Sequence, residues 1–218
     1  MTHPNAVNKI DKNIEVIVLA AGQGTRMRSE MPKVLHPIAG RAMLAHVLDT
    51  ALGLDAVRVH VVVGHQADAV RQAIETEARF QEAPLNWVLQ TEQKGTAHAV
   101  AQALPDVADE SVVLVTYGDV PLVSPETLRR CVAATLDAQD GAESLALVTA
   151  EFEDPAQLGR IVRDDSGAIQ AIVEYADASE GQRAIREINS GILAPVSYTH
   201  LTLPTTCNLC RSRGAPSQ

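Results

Sequence analysis

Short apolar runs rich in β-branched residues alternate along the chain with longer stretches whose apolar residues recur every three or four positions. Ile14–Ala20 is a run of the first kind, followed by a glycine-bearing loop and a polar, proline-punctuated stretch. Between 42 and 53, Met43, Leu44, Val47, Leu48, Ala51 and Leu52 form one apolar stripe at helical spacing. Val57–Val63 reads as a second buried strand, Ala67–Ala78 as a helix with a polar face, and Leu85–Gln90 as a strand. Thr96–Leu104 reads as a short helix and Val112–Thr116 as a strand. A helix is predicted from Ser124 to about Asp137: Ser124 is a good cap, Pro125 suits the first helical position, and Glu126 puts an acid in the first turn. Strands separated by helices need right-handed crossovers, so these first four strands are expected to form a parallel sheet covered on both faces.

The texture changes after residue 143. Ser144–Ala150 reads as a fifth strand, and Arg160–Asp164 with Ala168–Tyr175, joined by Asp165-Ser166-Gly167, as a hairpin. Asp177 is expected to cap a short helix running to Glu187, and Ile188–Leu193 to be a last strand. The expected fold is α/β: a Rossmann-like, mostly parallel sheet with a smaller mixed lobe lying over it. Residues 14–195 read as one domain and 1–13 as a flexible extension. Residues 196–218 contain no Asp, Glu or Lys and hold Cys207 and Cys210. That break in texture predicts a non-native or disordered tail, with the native reading frame ending near Pro195.

Composition narrows the class. A chain of 218 residues, 46% hydrophobic and 21% charged, buries one good core and is not disordered throughout. A formal net charge of −9 argues against nucleic acid as a partner, yet local cations and backbone amides could still hold a small anion. The first fifteen residues lack a signal-peptide core and no apolar stretch is long enough to span a bilayer, so no membrane partner and a cytoplasmic location are expected. Three cysteines indicate no disulfide framework. Cys131 is expected in the core, and Cys207-x-x-Cys210 with His200 lacks the fourth ligand of a structural zinc site.

Three polar loops follow predicted parallel strands: Leu19 to Met27, Gln90 to Thr96, and Tyr117 to Leu122. All fall at carboxyl ends, the edge of an open α/β sheet where ligands bind. Gly22 and Gly24 would let the backbone approach phosphate oxygens, although the loop has neither the third glycine of a dinucleotide fingerprint nor the Gly-Lys-Ser/Thr of a P-loop. Arg26 and Lys33 read either as phosphate-binding cations or as solvated surface charges. Asp119 reads either as a turn residue or as a Mg²⁺ ligand.

The strings LAAGQGTRMRSEMPKVLHPIAG, QTEQKGTAHA and YGDVPL, spread from about residue 14 to 194, resemble the N-terminal uridyltransferase domain of the bacterial bifunctional N-acetylglucosamine-1-phosphate uridyltransferase / glucosamine-1-phosphate acetyltransferase family. The resemblance implies the nucleotide-diphospho-sugar transferase fold and transfer of UMP from UTP to N-acetylglucosamine 1-phosphate, giving UDP-N-acetylglucosamine and pyrophosphate for cell-wall and lipopolysaccharide synthesis. It implies that Leu19, Ala20, Ala21 and Gly22 wrap the nucleotide, with Arg26 and Lys33 on its phosphates as catalytic cations. Gln90 would pair with uracil, helped by Gly95 and Thr96. Tyr117 and Gly118 would line the nucleotide-sugar site, and Asp119 would hold Mg²⁺ as catalytic metal ligand. Gly159, Glu174 and Asn189 would contact the N-acetylglucosamine portion, with the family's Asn-Thr-Gly appearing as Asn189-Ser190-Gly191. The chain departs from the family where it stops: a second metal ligand, an Asn further on, is not reached. Nor is the β-helix through which full-length members trimerise and transfer acetyl groups, so acetyl transfer is not expected of this chain. The alternatives are a relative using another nucleotide or sugar phosphate, and a silent nucleotide-binding fragment.

Overall fold

The computed structural model describes residues 12–22, 29–137 and 145–195. Strand β1 (Ile14–Leu19) is buried along its whole length, and its side chains alternate between two cores. Ile14, Val16 and Val18 enter one, Ile17 and Leu19 the other. A 3-10 turn at Lys33–Leu35 leads to the two-residue strands β2 (Pro37–Ile38) and β3 (Arg41–Ala42), a small hairpin absent from the sequence expectation. Helix α1 (Met43–Leu52) then buries the predicted stripe, and β4 (Arg58–Val63) pairs parallel with β1.

Helix α2 (Ala67–Glu75), helix α3 (Ala78–Gln81), strand β5 (Leu85–Leu89), helix α4 (Thr96–Ala103), strand β6 (Val112–Tyr117) and helix α5 (Pro125–Leu136) complete the parallel half. Its strand order is β5-β4-β1-β6. The chain moves outward from β1 through β4 to β5, then returns through α4 to β6 on the far side of β1. A right-handed crossover that reverses direction must change face. Accordingly α1, α2, α3 and α5 pack on the Val16 face, while α4 packs Ala99, Val100 and Ala103 on the Ile17 face. Leu44, Leu48 and Ile17 are wholly buried, each contributing about 1.5–3 kcal/mol of transfer free energy.

Strands β7 (Leu145–Glu151), β8 (Arg160–Arg163) and β9 (Ile169–Val173), helix α6 (Glu180–Arg183) and strand β10 (Glu187–Pro195) form the mixed part. It does not lie over the parallel sheet, as the sequence suggested, but continues the same sheet beyond β6. On one edge β10 meets β6 at Leu193↔Val115 and β8 at Ile188↔Arg160; β7 pairs along its other edge. Between those two contacts the register shifts, and Gly191 adopts φ +78°. The bend lets one strand serve two partners.

Two helix boundaries also differ from expectation. The predicted Ala67–Ala78 helix breaks after Glu75, with α3 beginning at Ala78. The helix expected from Asp177 to Glu187 is only Glu180–Arg183. Ser179, not Asp177, caps it, because Ser179 and Gln182 satisfy each other's backbone amides in a capping box.

One polar cluster runs from the buried middle of the sheet, at Glu15, His60 and Ser111, out to its surface at Asp106. Glu15 accepts from His60 Nε2 at 2.7 Å, from Ser111 Oγ at 2.7 Å and from the Ala108 amide at 3.0 Å. Asn86 Nδ2 lies 3.1 Å from His60 Nδ1 and donates to Asp106 at 2.8 Å, so the cluster spans β1, β4, β5 and the approach to β6.

Candidate active site

Because the strand order reverses at β1, the loops after β1 and β6 part at their carboxyl ends and leave a crevice. A cleft of about 280 Å³ opens there, and the loop between β5 and α4 closes its third side. Leu19, Ala20, Ala21, Gly22, Lys33, Gln90, Gly95, Thr96, Tyr117 and Asp119 all line it. Nine positions picked from three separate loops, and Lys33 beyond the first of them, therefore face one space. Arg26 lies outside the described residues, as do Cys207, Cys210 and His200.

Pro32 precedes the turn that carries Lys33, whose Nζ reaches Asp119 Oδ2 at 2.5 Å across the cleft. The two side chains keep 40% and 29% of their surface exposed, so this pair is open to a ligand rather than locked in the core. Gly118 does not line the cleft. A β-carbon there would meet Ala20, Leu44 and Val34 at 3.1–3.3 Å, so its role is to let β6 end tightly against β1 and α1.

Gln90 is 4% exposed. Its amide nitrogen donates to Gly95 O at 3.3 Å and lies 3.0 Å from His98 Nδ1. His98 thus orients the predicted base-reading group. Gln93, Val34 and Ala99 also line the cleft without having been singled out. Gln93 Nε2 donates to Ala21 O at 2.7 Å, tying the loop after β5 to the loop after β1. Gly64, at the end of β4, makes room: a β-carbon there would stand 2.9 Å from Ala21 O and 3.1 Å from Gln93 Nε2. Glu92, in the loop between β5 and α4, forms an exposed ion pair with Lys94.

The residues expected to touch a sugar gather beside this cleft. The Asn189 amide donates to Gly159 O at 3.0 Å, and Gly159 abuts Glu174, where a β-carbon would sit 3.2 Å from Oε1. Asn189 Oδ1 accepts from the Gly191 amide at 2.9 Å, holding the bend of β10. At Gly191 a β-carbon would fall 2.6 Å from the Tyr117 hydroxyl. Tyr117 therefore packs against the bend on one side and lines the cleft on the other.

Among the described residues, no three His, Cys, Asp or Glu side chains group as a metal cage, and no helix is long and apolar enough to cross a membrane. Asp119 is the carboxylate on the cleft wall. One carboxylate with substrate phosphates and water suits Mg²⁺, which rarely uses an all-protein cage.

The chain is similar to "Bifunctional protein GlmU" of Marinobacter nauticus, with 53% identity over 197 residues, 89% of this chain and 41% of that protein. It is similar to the protein of the same name from Pseudomonas paraeruginosa, with 56% identity over 182 residues, 84% of this chain and 37% of that protein. It thus spans about two fifths of the length of these relatives. A Bacillus anthracis protein assigned as a glucose-1-phosphate thymidylyltransferase, solved with sucrose, shares the fold with a TM-score of 0.71 at 18% identity, over 88% of this chain and 77% of its own. Residues 16–198 match the MobA-like NTP transferase domain, and the chain belongs to that family.

Proposed function

We propose that this chain transfers UMP from UTP to N-acetylglucosamine 1-phosphate, releasing pyrophosphate and forming UDP-N-acetylglucosamine. The observation that carries the reading is the convergence of the loops after β1, β5 and β6 on one cleft, with Lys33 and Asp119 paired across it. The identity to the two GlmU proteins supports the choice of substrates.

The attacking phosphate is already an anion at neutral pH, so the chain need not supply a general base. Positioning and charge neutralisation remain, and these dominate phosphoryl-type transfers. Lys33 would move from Asp119 onto the triphosphate, offsetting charge at the α-phosphate and leaving group. Backbone amides of the Leu19–Gly22 loop would hold phosphate oxygens. Gln90 commits its NH₂ to Gly95 O and His98, leaving its oxygen to accept. An acceptor suits the N3–H of uracil and rejects cytosine, whose N3 is itself an acceptor. Glu174 and Asn189 would take the sugar hydroxyl and amide groups. Asp119 would hold Mg²⁺, which when bound would bring the two phosphates together and neutralise their oxygens.

A pyrophosphate-release screen of UTP, CTP, dTTP and GTP against N-acetylglucosamine 1-phosphate and glucose 1-phosphate, with Mg²⁺, tests the reading. Turnover with UTP and N-acetylglucosamine 1-phosphate is expected. A different preferred pair would replace the substrates, and calorimetric UTP binding without turnover would make the chain a silent binder.

A further inference from the structure

Behind the Gly159–Glu174–Asn189 cluster lies a charged side chain that this chemistry does not use. Arg160 opens β8 and is 2% exposed. Its acceptors among the described residues are all main-chain carbonyls. Nη1 donates to Leu158 O, Nη2 to Ala156 O at 2.9 Å, and Nε and Nη2 to Arg183 O at 3.3 Å. The guanidinium also lies 5.5 Å from the centroid of the Tyr175 ring, which Arg183 covers at 4.7 Å. Burying a cation requires that its donors be met, and an apolar side chain would serve the sheet at least as well.

The register shows what the fork fixes. Val173, Arg160 and Ile188 form one row across β9, β8 and β10. Glu174, Gly159 and Asn189 each lie one residue along from that row, and alternation puts them on the opposite face. From behind, Arg160 ties the loop that ends at Leu158 to Tyr175 and Arg183, the segment that follows Glu174. Asn189 joins through its amide on Gly159 O.

We propose that Arg160 is the positioning residue of the acceptor subsite, setting the spacing of Gly159, Glu174 and Asn189 and through it the affinity for the sugar phosphate. This rests on the acceptor assignment above. Steady-state kinetics of the full chain, Arg160→Met and Arg160→Lys, with UTP and N-acetylglucosamine 1-phosphate varied separately, test it. Arg160→Met is expected to raise KM for the sugar phosphate about tenfold or more while KM for UTP stays within about twofold. Arg160→Lys restores the charge but not the planar fork, so its acceptor KM should fall in between. A purely structural role would lower kcat through lost folded enzyme and leave both KM values alone, which would overturn the proposal. If Arg160→Met does not fold, Arg160→Lys decides: an acceptor KM equal to wild type overturns the role. A wild-type chain that neither binds UTP nor turns over sinks the functional reading itself, before any variant is compared.

Discussion

Lys33 and Asp119 are 86 residues apart in the chain and 2.5 Å apart across the cleft. The ammonium sits where a metal would approach the carboxylate. Lys33→Met should therefore act in two opposed ways: calorimetry should find Mg²⁺ binding the ligand-free chain more tightly, while pyrophosphate release falls about a hundredfold. Weaker metal binding in the variant would show that Lys33 does not compete. Cys131 offers a second check at this scale. Burial pushes its thiol from 9.0 up to about 11, so it should resist iodoacetamide at neutral pH until denaturant exposes it. That Gln90 and Asp119 face one cleft was legible in the sequence because their motifs sit at strand ends, and Lys33 stood out as a cation next to Pro32 beyond the first loop. Gln93 and His98 were not legible, since their roles depend on which way a side chain turns; Gln93 meets Ala21 from 72 residues away.

Helix α5 shows how much an element can announce. Ser124 accepts from the Thr127 amide, and Pro125 takes the first position, as its sequence predicts. Helix α6 and the bend in β10 show the limit. Asp177 with Glu180 and Ser179 with Gln182 both have the spacing of a capping box, and only the structure shows that Ser179 and Gln182 form it. The bend depends on Asn189, Ser190 and Gly191, which lie inside the predicted strand Ile188–Leu193 and were singled out for sugar contact, not for a bend packed against Tyr117. Gly191→Ala would add a β-carbon both at φ +78° and inside the Tyr117 ring's contact distance. It should lose about 1–3 kcal/mol in urea unfolding and weaken UTP binding, because Tyr117 must move. Unchanged stability would mean that the bend relaxes freely.

At the scale of the whole molecule, hydrophobic alternation foretold the four parallel strands, but not that the mixed strands extend the same sheet. An apolar run marks a strand without naming its neighbours. The buried Glu15 cluster spans that parallel half, and it has a pH signature. Burial raises the Glu15 carboxyl, but the donors Ser111, His60 and Ala108 outweigh it, so the net shift is downward from 4.5. A carboxyl lowered on folding stabilises at neutral pH, and that contribution fades as pH falls below the unfolded value toward the folded one. Glu187, lowered by Arg163, acts in the same direction. Glu15→Gln should be less stable at pH 7 by about 1–3 kcal/mol, with a shallower acid limb in urea unfolding. An acid limb parallel to wild type would acquit Glu15. Finally, β10 follows β6, β7 and β8 in the chain, yet it pairs with all three. On the ribosome those earlier strands must wait with open edges until Pro195 clears the tunnel. A chain stopped at Arg186 should therefore pellet during expression, whereas one reaching Pro195 stays in the supernatant.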